Sequence, residues 1–452
     1  MEDRPYHLIG IGGIGMSGLA RILLQRGKKV SGSDVKSSSF TERLSEEGAQ
    51  IFIGHEASQV LKETKIVYTS AVQSGNPEYE EAKRLELLML HRSELLAELM
   101  KGSSSLLVTG THGKTTTSSL LAHVLVSAGE KPSYSIGGIV QSLGAQACHG
   151  EGKWFVAEAD ESDGSFLAYS PVGAIVTNID LDHLDYWKTE ESLIQGFVEF
   201  QRKVENRDLL FWCADDPLLA ALSWDGVGYG FSSSAELKIE NAVYLGWKSQ
   251  FDLRWKGFVH KDIEIPLIGH HNVLNAAAVF GLCLQIGIDE TFIYQAMKSF
   301  KGAGRRAEKK GEVRGIAVYD DYAHHPTEIA TTLSAMRVAS EGRRIVVLIQ
   351  PHRFSRTRDC FDLFADSFKA ADLIFLTDVY GAGECSIEGI HSQNLQEKIV
   401  SQGVSSCVYV PKEDLLDRAL SCILPGDVVV TMGAGDITSM GPKLLERLSL
   451  CL

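Results

Sequence analysis

No uninterrupted apolar run in the 452 residues approaches the roughly 20 needed to cross a bilayer. The nearest stretch, Leu85 to Leu90, is short and contains Glu86, so membrane insertion is not expected. The start of the chain has no basic segment leading into an apolar stretch and no cleavage site, which gives no reason to expect export and leaves the cytoplasm as the expected compartment. The 8 cysteines include no CxxC pair and no histidine at finger-like spacing, so neither a structural zinc site nor a disulfide framework is expected, and reduced thiols are. Positive charge is also short. With 44 Lys+Arg against 58 Asp+Glu the net charge is -14, which argues against a general nucleic-acid binder, because a phosphate backbone needs a clustered positive field. Anionic ligands must therefore be met locally, and the candidate clusters are Arg305, Arg306, Lys309 and Lys310, and Arg353, Arg356 and Arg358. No short-period repeat is present, which excludes a solenoid.

What is present is length and apolar content, 452 residues at 44% hydrophobic, enough for several cores rather than one. The chain alternates strand-like and helix-like stretches in three segments. In the first, an apolar run at His7 to Ile11 enters a glycine-rich turn and then a helical pattern on Met16, Leu19, Ala20, Leu23 and Leu24. Strands are expected at Lys28 to Ser33, Gln50 to Ile53 and Lys65 to Thr69, with a Glu-rich helix from Glu78 to Leu87 and another helix ending near Met100. Lys101 to Ser105 reads as a linker. The second segment restarts with a strand at Ser105 to Thr109 and a helix from Thr115 to Ala128, followed by strand candidates at Trp154 to Ala157 and Gly173 to Asn178. A basic glycine hinge, Lys301 to Arg306, precedes the third, which has strands near Gly315 to Tyr319, Arg344 to Ile349, Leu373 to Thr377 and Asp427 to Thr431. The fold class is α/β, with mostly parallel sheets covered by helices on both faces and boundaries that divide the chain into 1–102, 103–303 and 304–452.

Chemistry concentrates where the strands stop. Between the strand ending at Thr109 and its helix lies GTHGKTT, Gly110 to Thr116. Successive backbone N–H groups can wrap phosphates there, Lys114 can reach the terminal phosphates, and the Thr115 hydroxyl can ligate magnesium. The spacing departs from the general phosphate loop: Val108 stands where the outer glycine is usual, and Gly110 sits three before Gly113. The next strand ends on Glu158, with Asp160, Glu161 and Asp163 behind it, and the following one runs into Asn178, Asp180, Asp182, His183 and Asp185. Carboxylates at strand ends beside a phosphate loop suit magnesium, which needs hard oxygen ligands.

Near the start, Gly10, Gly12 and Gly15 follow a strand and open a helix, with Asp34 closing the second strand. The pattern alone fits a dinucleotide, but what its glycines provide is close backbone approach to any diphosphate, a UDP-sugar included. The segment leaves little room for a hydride-transfer site, so NAD is the weaker reading. Later, GHHNVLNAAA places His270, His271, Asn272 and Asn275 at a helix start, where amides could read a purine edge or simply cap the helix. DDYAHHPTE puts Asp320, Asp321, His324 and His325 at a strand end, and QPHRFSRTR adds His352, Arg353, Arg356 and Arg358 at the next. Arginine forks bind carboxylates in bidentate fashion, so an amino-acid carboxylate is a natural guest.

Together these motifs resemble the Mur ligase family nearly end to end: GIGGIGMSGLA, TGTHGKTTT, EADESD, TNIDLDHLD, HHNVLNA, GAGRR, DDYAHHPTE, QPHRFSRTR and GAGDI occur in fixed order, and the shortened phosphate loop is the form this family uses. The resemblance implies a Rossmann-like first domain for a UDP-sugar, a central phosphate-loop ATPase domain, and a Rossmann-like third domain completing the nucleotide and amino-acid sites. It implies ATP and magnesium as cofactors and UDP-N-acetylmuramate and L-alanine as substrates, joined through an acyl phosphate. Carried over by position, it assigns Gly12, Gly13, Gly15, Ser33, Asp34 and Ser70 to the sugar nucleotide. Gly110, Thr111, His112, Gly113, Lys114, Thr115, Thr116, Asn272, Asn275, Arg306 and Asp321 go to ATP, with Thr115, Glu158 and His183 at the metal. His325, Arg353 and Arg356 go to the amino acid. Lys114, Glu158, His183, Arg306 and Asp321 are the implied catalytic set. Some branches of the family carry a carbamylated lysine that bridges magnesium ions; Gln201 stands at the corresponding place, with Lys203 out of phase, so no carbamate is expected. Two alternatives differ in product: a recycling ligase that adds a ready-made peptide to the same UDP-sugar, disfavoured by GIGGIGMSGLA, and an NAD-dependent oxidoreductase.

Overall fold

The computed structural model describes residues 4–72, 75–182, 184–404 and 406–450. They build three sheets. The first has five parallel strands with Tyr6–Ile9 in the middle, flanked by Val30–Asp34 on one side and Lys65–Tyr68 on the other. The second and third strands are added on one side of the central one and the fourth and fifth on the other, so the chain reverses direction of growth beside Tyr6–Ile9 and opens a crevice at the carboxyl ends of the strands. Gly10, at φ 79°, turns the chain from that central strand into the helix Ile14–Gln25.

The second sheet has ten strands, and its middle is the run Gly173–Val176, Ser104–Thr109, Trp154–Glu158 and Ser133–Val140, all parallel. Sequence patterning places the first three of these within a residue or two, because strands buried on both faces read as continuous apolar runs. It does not identify Ser133–Val140, Ala145–Cys148 and Val227–Gly230, whose serines, glycines, alanines and glutamine break the run, nor Leu210–Cys213, which is apolar but only four residues long. The helix Lys114–Ser127 is buried from Thr115 through Leu125 rather than on the single face of Leu120, Leu121, Val124 and Leu125. A helix enclosed on all sides shows little amphipathic period, and Thr117 and Ser118 return their hydroxyls to the backbone one turn back, Ser118 Oγ to the Lys114 carbonyl at 2.8 Å.

The third sheet has six strands. Ile316–Asp321 lies between the antiparallel edge strand Glu308–Val313 and the parallel strand Val428–Met432, and Ile345–Ile349, Leu373–Leu376 and Cys407–Tyr409 follow in that order. Two apolar layers sandwich it, one centred on Leu333, Met336 and Phe368, the other on Leu415, Leu444 and Val429. Each fully buried Leu, Met or Phe in such a layer stabilises by roughly 1.5–3 kcal/mol. The chain forms two compact units: residues 1–240, 252–263 and 274–301, and residues 241–251, 264–273 and 302–452. The seven described cysteines form no disulfide, and no helix among the described residues is long and apolar enough to cross a membrane.

Candidate active site

In the first unit, the strand Ser104–Thr109 delivers Gly110 to Gly113 between two neighbours, and both supply what the loop needs. Gly110 has φ 125°, and a Cβ there would fall 2.1 Å from Thr177 Oγ1 and 2.9 Å from the Asn178 backbone, so only glycine fits. Asn178 clamps the loop: its Oδ1 accepts the His112 N–H at 2.9 Å and its Nδ2 donates to the His112 carbonyl at 3.0 Å. Thr111 accepts the Asp180 N–H at 2.9 Å, and His112 Nε2 lies 2.9 Å from Asp180 Oδ2. Gly113, at φ 85°, opens the helix Lys114–Ser127 with the Asn275 amide against it, 3.1 Å from where a Cβ would stand. Thr116 is buried just inside that helix.

On the other side, Glu158 ends the strand Trp154–Glu158. Its Oε2 accepts the Thr115 hydroxyl at 3.2 Å, and its Oε1 accepts the Gly137 N–H at 2.7 Å and the Ser118 hydroxyl at 3.2 Å. Lys114 Nζ folds back on the loop, donating to the carbonyls of Gly110 at 2.7 Å and Thr111 at 3.2 Å and to Glu161 Oε2 at 2.6 Å. Burial pushes the Glu161 carboxyl up to about 7 even with Lys114 against it. Burial also works against the Lys114 ammonium, yet Glu161 and Asp160 outweigh it and hold its pKa above the usual value. The ammonium is thus the fixed charge of the pair, and Glu161 the member that yields. Asp160 behaves oppositely to Glu161: burial is overcome by Lys114 and Arg92, and its carboxyl lies far below the ordinary range.

The glycine loop at Gly10 to Gly15 borders a cavity of about 840 Å³ lined also by Asp34, His55, Asn76 and Arg92. Asp34 Oδ2 accepts the Gly12 N–H at 2.9 Å, and a Cβ on Gly12 would meet that oxygen at 2.8 Å. Gly13 and Gly15 line the cavity. Ser33, assigned by resemblance to the sugar nucleotide, is fully buried instead: its hydroxyl donates to Glu78 and bonds His55 Nδ1 at 2.9 Å, and His55 rather than Ser33 reaches the cavity. Ser70 is exposed and donates to Asp163 Oδ2 at 3.1 Å.

In the second unit, Asp321 closes the strand Ile316–Asp321 and accepts the N–H groups of Ala307 at 2.7 Å and Ala323 at 2.8 Å. Burial raises its pKa to about 6, against the pull of Arg306. Arg306 reaches Glu328 Oε1 at 3.4 Å, and its guanidinium lies 5.4 Å from the Tyr322 ring centre. Arg305 is structural by comparison, tied to Asp320 and to the carbonyls of Gly433, Ala434 and Gly435 in the closing GAGDI turn. Asn272, in the first turn of the helix His270–Gln285, donates its Nδ2 to the Ile268 carbonyl at 2.8 Å. His325 is buried at the start of the helix Pro326–Ala339, where Glu328 accepts the N–H groups of His324 and His325. His324 and His352 lie ring to ring at 5.6 Å, with Tyr380 stacked 5.6 Å beyond. Burial lowers His324 to about 4 and His352 to about 3, the nearby charge of Arg356 adding to both, so both imidazoles are neutral near pH 7. Arg356 acts on both imidazoles and Arg353 on His352, and Arg353 is exposed, with φ 68° at the turn into the helix Phe354–Asp359. Gln201 is buried, its amide bonded to the backbone of Ser223 and Asp225. His183 lies outside the described residues.

Three family models cover the chain in order: the Mur ligase family catalytic domain over residues 5–104, the Mur ligase middle domain over 108–283, and the Mur ligase glutamate ligase domain over 305–435. The chain belongs to the Mur ligase family. Among its relatives, the UDP-N-acetylmuramate–L-alanine ligase of Protochlamydia amoebophila is 47% identical over 98% of both chains, and that of Anaeromyxobacter dehalogenans 44% identical over 98% and 97%. The crystal structure of UDP-N-acetylmuramate-alanine ligase from Thermotoga maritima superposes with a TM-score of 0.86 at 29% identity, covering 98% of this chain and 99% of that one. A murein peptide ligase from Psychrobacter arcticus shares the fold, with a TM-score of 0.72 at 24% identity. The three-domain α/β architecture of the Mur ligases is thus the architecture of this chain. Membership sets aside the oxidoreductase alternative.

Sequence reasoning left several groups of the site without a role. Asn178 and Glu161 were visible as polar residues after strands, but nothing local distinguishes a loop clamp or a lysine counter-ion from a solvated turn. Arg92 and Glu78 carried no signal, because their partners lie far away in the chain.

Proposed function

We infer that the protein is an ADP-forming ligase that joins L-alanine to UDP-N-acetylmuramate at the expense of ATP, supplying a precursor of peptidoglycan in the cytoplasm. One observation carries the reading: a relative named for that reaction matches 98% of this chain at 47% identity. The geometry supports it. Phosphoryl transfer needs positioning and charge neutralisation more than covalent help, and the loop Gly110 to Thr116 offers N–H groups and one fixed ammonium for that task.

Residues 1–102 are proposed to bind the UDP-sugar, 103–303 to bind ATP, and 304–452 to complete the nucleotide and amino-acid sites. Thr115 and Glu158 are proposed to hold magnesium. Both are hard oxygen donors, and their 3.2 Å separation suits adjacent positions on an octahedral ion, for which bonds of about 2.1 Å put neighbours about 3 Å apart. When bound, that ion neutralises charge on the phosphates. Lys114 exchanges a loop carbonyl or Glu161 for a terminal phosphate oxygen, and the sugar's carboxylate attacks that phosphorus to give an acyl phosphate and ADP. Arg356, with Arg353 and His325, is assigned to the carboxylate of alanine; the alanine amine attacks the acyl carbon, and the departing phosphate takes up the proton that the nitrogen loses. Arg306 and Asp321 are assigned to the nucleotide.

The test is a product assay: ATP, magnesium and UDP-N-acetylmuramate with each amino acid in turn, reading ADP and the mass of the product. L-alanine should give the amide. Ligation of a tripeptide without turnover of free alanine would replace this reading by the recycling reaction.

A further inference from the structure

Arg353 and Arg356 stand on a turn that their own segment does not hold. Arg353 opens the helix Phe354–Asp359 at φ 68°, in the left-handed region that residues with a Cβ avoid, and its side chain caps nothing. The first N–H groups of a helix have no partner one turn back, so the cap must come from elsewhere. It comes from Tyr380 to Glu384 in the same unit. The Tyr380 carbonyl accepts the Arg353 N–H and the Tyr380 N–H donates to the Pro351 carbonyl, both at 2.8 Å. Glu384 closes the turn from the other end: its Oε2 accepts the Ser355 N–H at 2.9 Å and its Oε1 accepts the Ser355 hydroxyl at 2.7 Å. Burial works against this carboxylate, but the two bonds from Ser355 and the charge of Arg353 outweigh it and hold its pKa below the ordinary value. Gly381 permits the close approach, since a Cβ there would stand 3.1 Å from the Phe354 ring and 3.0 Å from the Glu384 carbonyl oxygen.

Resting on the function proposed above, we propose that Glu384 is a positioning residue for the amino-acid site: acting through Ser355, which lies between the two arginines, it holds Arg353 and Arg356 in the geometry that receives the carboxylate of alanine. With Glu384 in place the turn is ordered before alanine arrives. Without it, the ordering falls on alanine binding and weakens it. The loss is confined to the second half of the reaction, because the acyl phosphate forms without an amino acid. A cap that served stability alone would lower the unfolding midpoint and leave the alanine KM where it was.

The experiment is steady-state kinetics of the full chain in L-alanine and in ATP, alongside trapping of the acyl phosphate with hydroxylamine when alanine is omitted. Glu384→Ala should raise the alanine KM by about 10-fold or more, with the ATP KM and the rate of hydroxamate formation within about 2-fold of wild type. Glu384→Gln, whose amide oxygen can still accept the Ser355 N–H, should raise the alanine KM by less than about 3-fold. An unchanged alanine KM in Glu384→Ala, an equal loss in hydroxamate formation, or a Glu384→Gln as impaired as Glu384→Ala overturns the proposal. Should Glu384→Ala not fold, Ser355→Ala decides, since it removes the hydroxyl bond and keeps the N–H bond: a rise of about 3-fold in the alanine KM supports the assignment and no rise overturns it. A wild-type chain that forms no hydroxamate from ATP and UDP-N-acetylmuramate would instead sink the functional reading itself.

Discussion

Two glycine loops in one unit use the same strand–loop–helix device and differ in what the neighbouring strands bring to it. At Gly10 to Gly15 the next strand supplies a carboxylate, Asp34, which accepts the loop's own Gly12 N–H, and no side-chain cation stands in the loop. At Gly110 to Thr116 the neighbours supply Asn178 on one side and Glu158 on the other, and Lys114 sits in the loop itself. On the proposed function, the first holds a diphosphate that does not react, and the second supplies charge that follows a phosphate as it is transferred. Chemistry is thus set by the strand ends beside a loop, and the glycines only make room.

The comparison can be broken or sharpened at several points. The largest effect belongs to Lys114→Ala, which should lower the rate of ADP release by at least about 10³-fold, as loss of a preorganised charge on a developing oxyanion does, while UDP-N-acetylmuramate affinity changes less than about 2-fold. Glu158→Gln should lower turnover by about 10²-fold and raise the magnesium concentration needed for half-maximal rate, measured by titrating the metal at saturating ATP. Arg356→Ala should raise the KM for L-alanine by about 10- to 100-fold, with Arg353→Ala raising it less because that side chain is exposed. Gly12→Ala should weaken the sugar nucleotide by about 10-fold and leave the ATP KM alone, since the added methyl meets Asp34 rather than anything near Lys114.

The smallest expected effect is on stability. The folded pKa of Asp321, raised to about 6 by burial, lies above its unfolded value of about 4, so the acid form is the one that folding favours. The stability this contributes is present below about pH 4 and lost as pH rises through 6. Urea unfolding of wild type and Asp321→Asn should diverge by about 2 kcal/mol between pH 4 and pH 7, with wild type losing ground as pH rises. Parallel curves would mean that the carboxyl titrates with the same pKa folded and unfolded.

The apolar parallel strands, such as Ser104–Thr109 and Gly173–Val176, and both loops were legible in the sequence because each is a local pattern: a buried apolar run, a glycine turn, a helix start. The placement of Gly110 to Thr116 and Glu158 at strand ends was legible for the same reason. Ser33, assigned by resemblance, turns its side chain to the buried Glu78 that joins His7 and His55, an orientation that a polar residue at a strand end does not reveal, since it can face either side of the sheet. Arg92 was illegible for the reason that most ion pairs are: Asp160 and Asp163 are distant in the chain and only the fold brings them within 2.9 and 3.3 Å. The strand Ser133–Val140, holding the Gly137 N–H that Glu158 accepts, reads as loop because it alternates small and polar residues.

The division of labour between the two loops is tested most directly by titrating two variants, Lys114→Ala and Gly12→Ala, each with UDP-N-acetylmuramate and with the magnesium complex of ATP. The account predicts a crossed result: Lys114→Ala keeps the sugar nucleotide and loses affinity for ATP, and Gly12→Ala keeps ATP and loses affinity for the sugar nucleotide. Loss of both ligands by either variant, or loss of the same ligand by both, would contradict it.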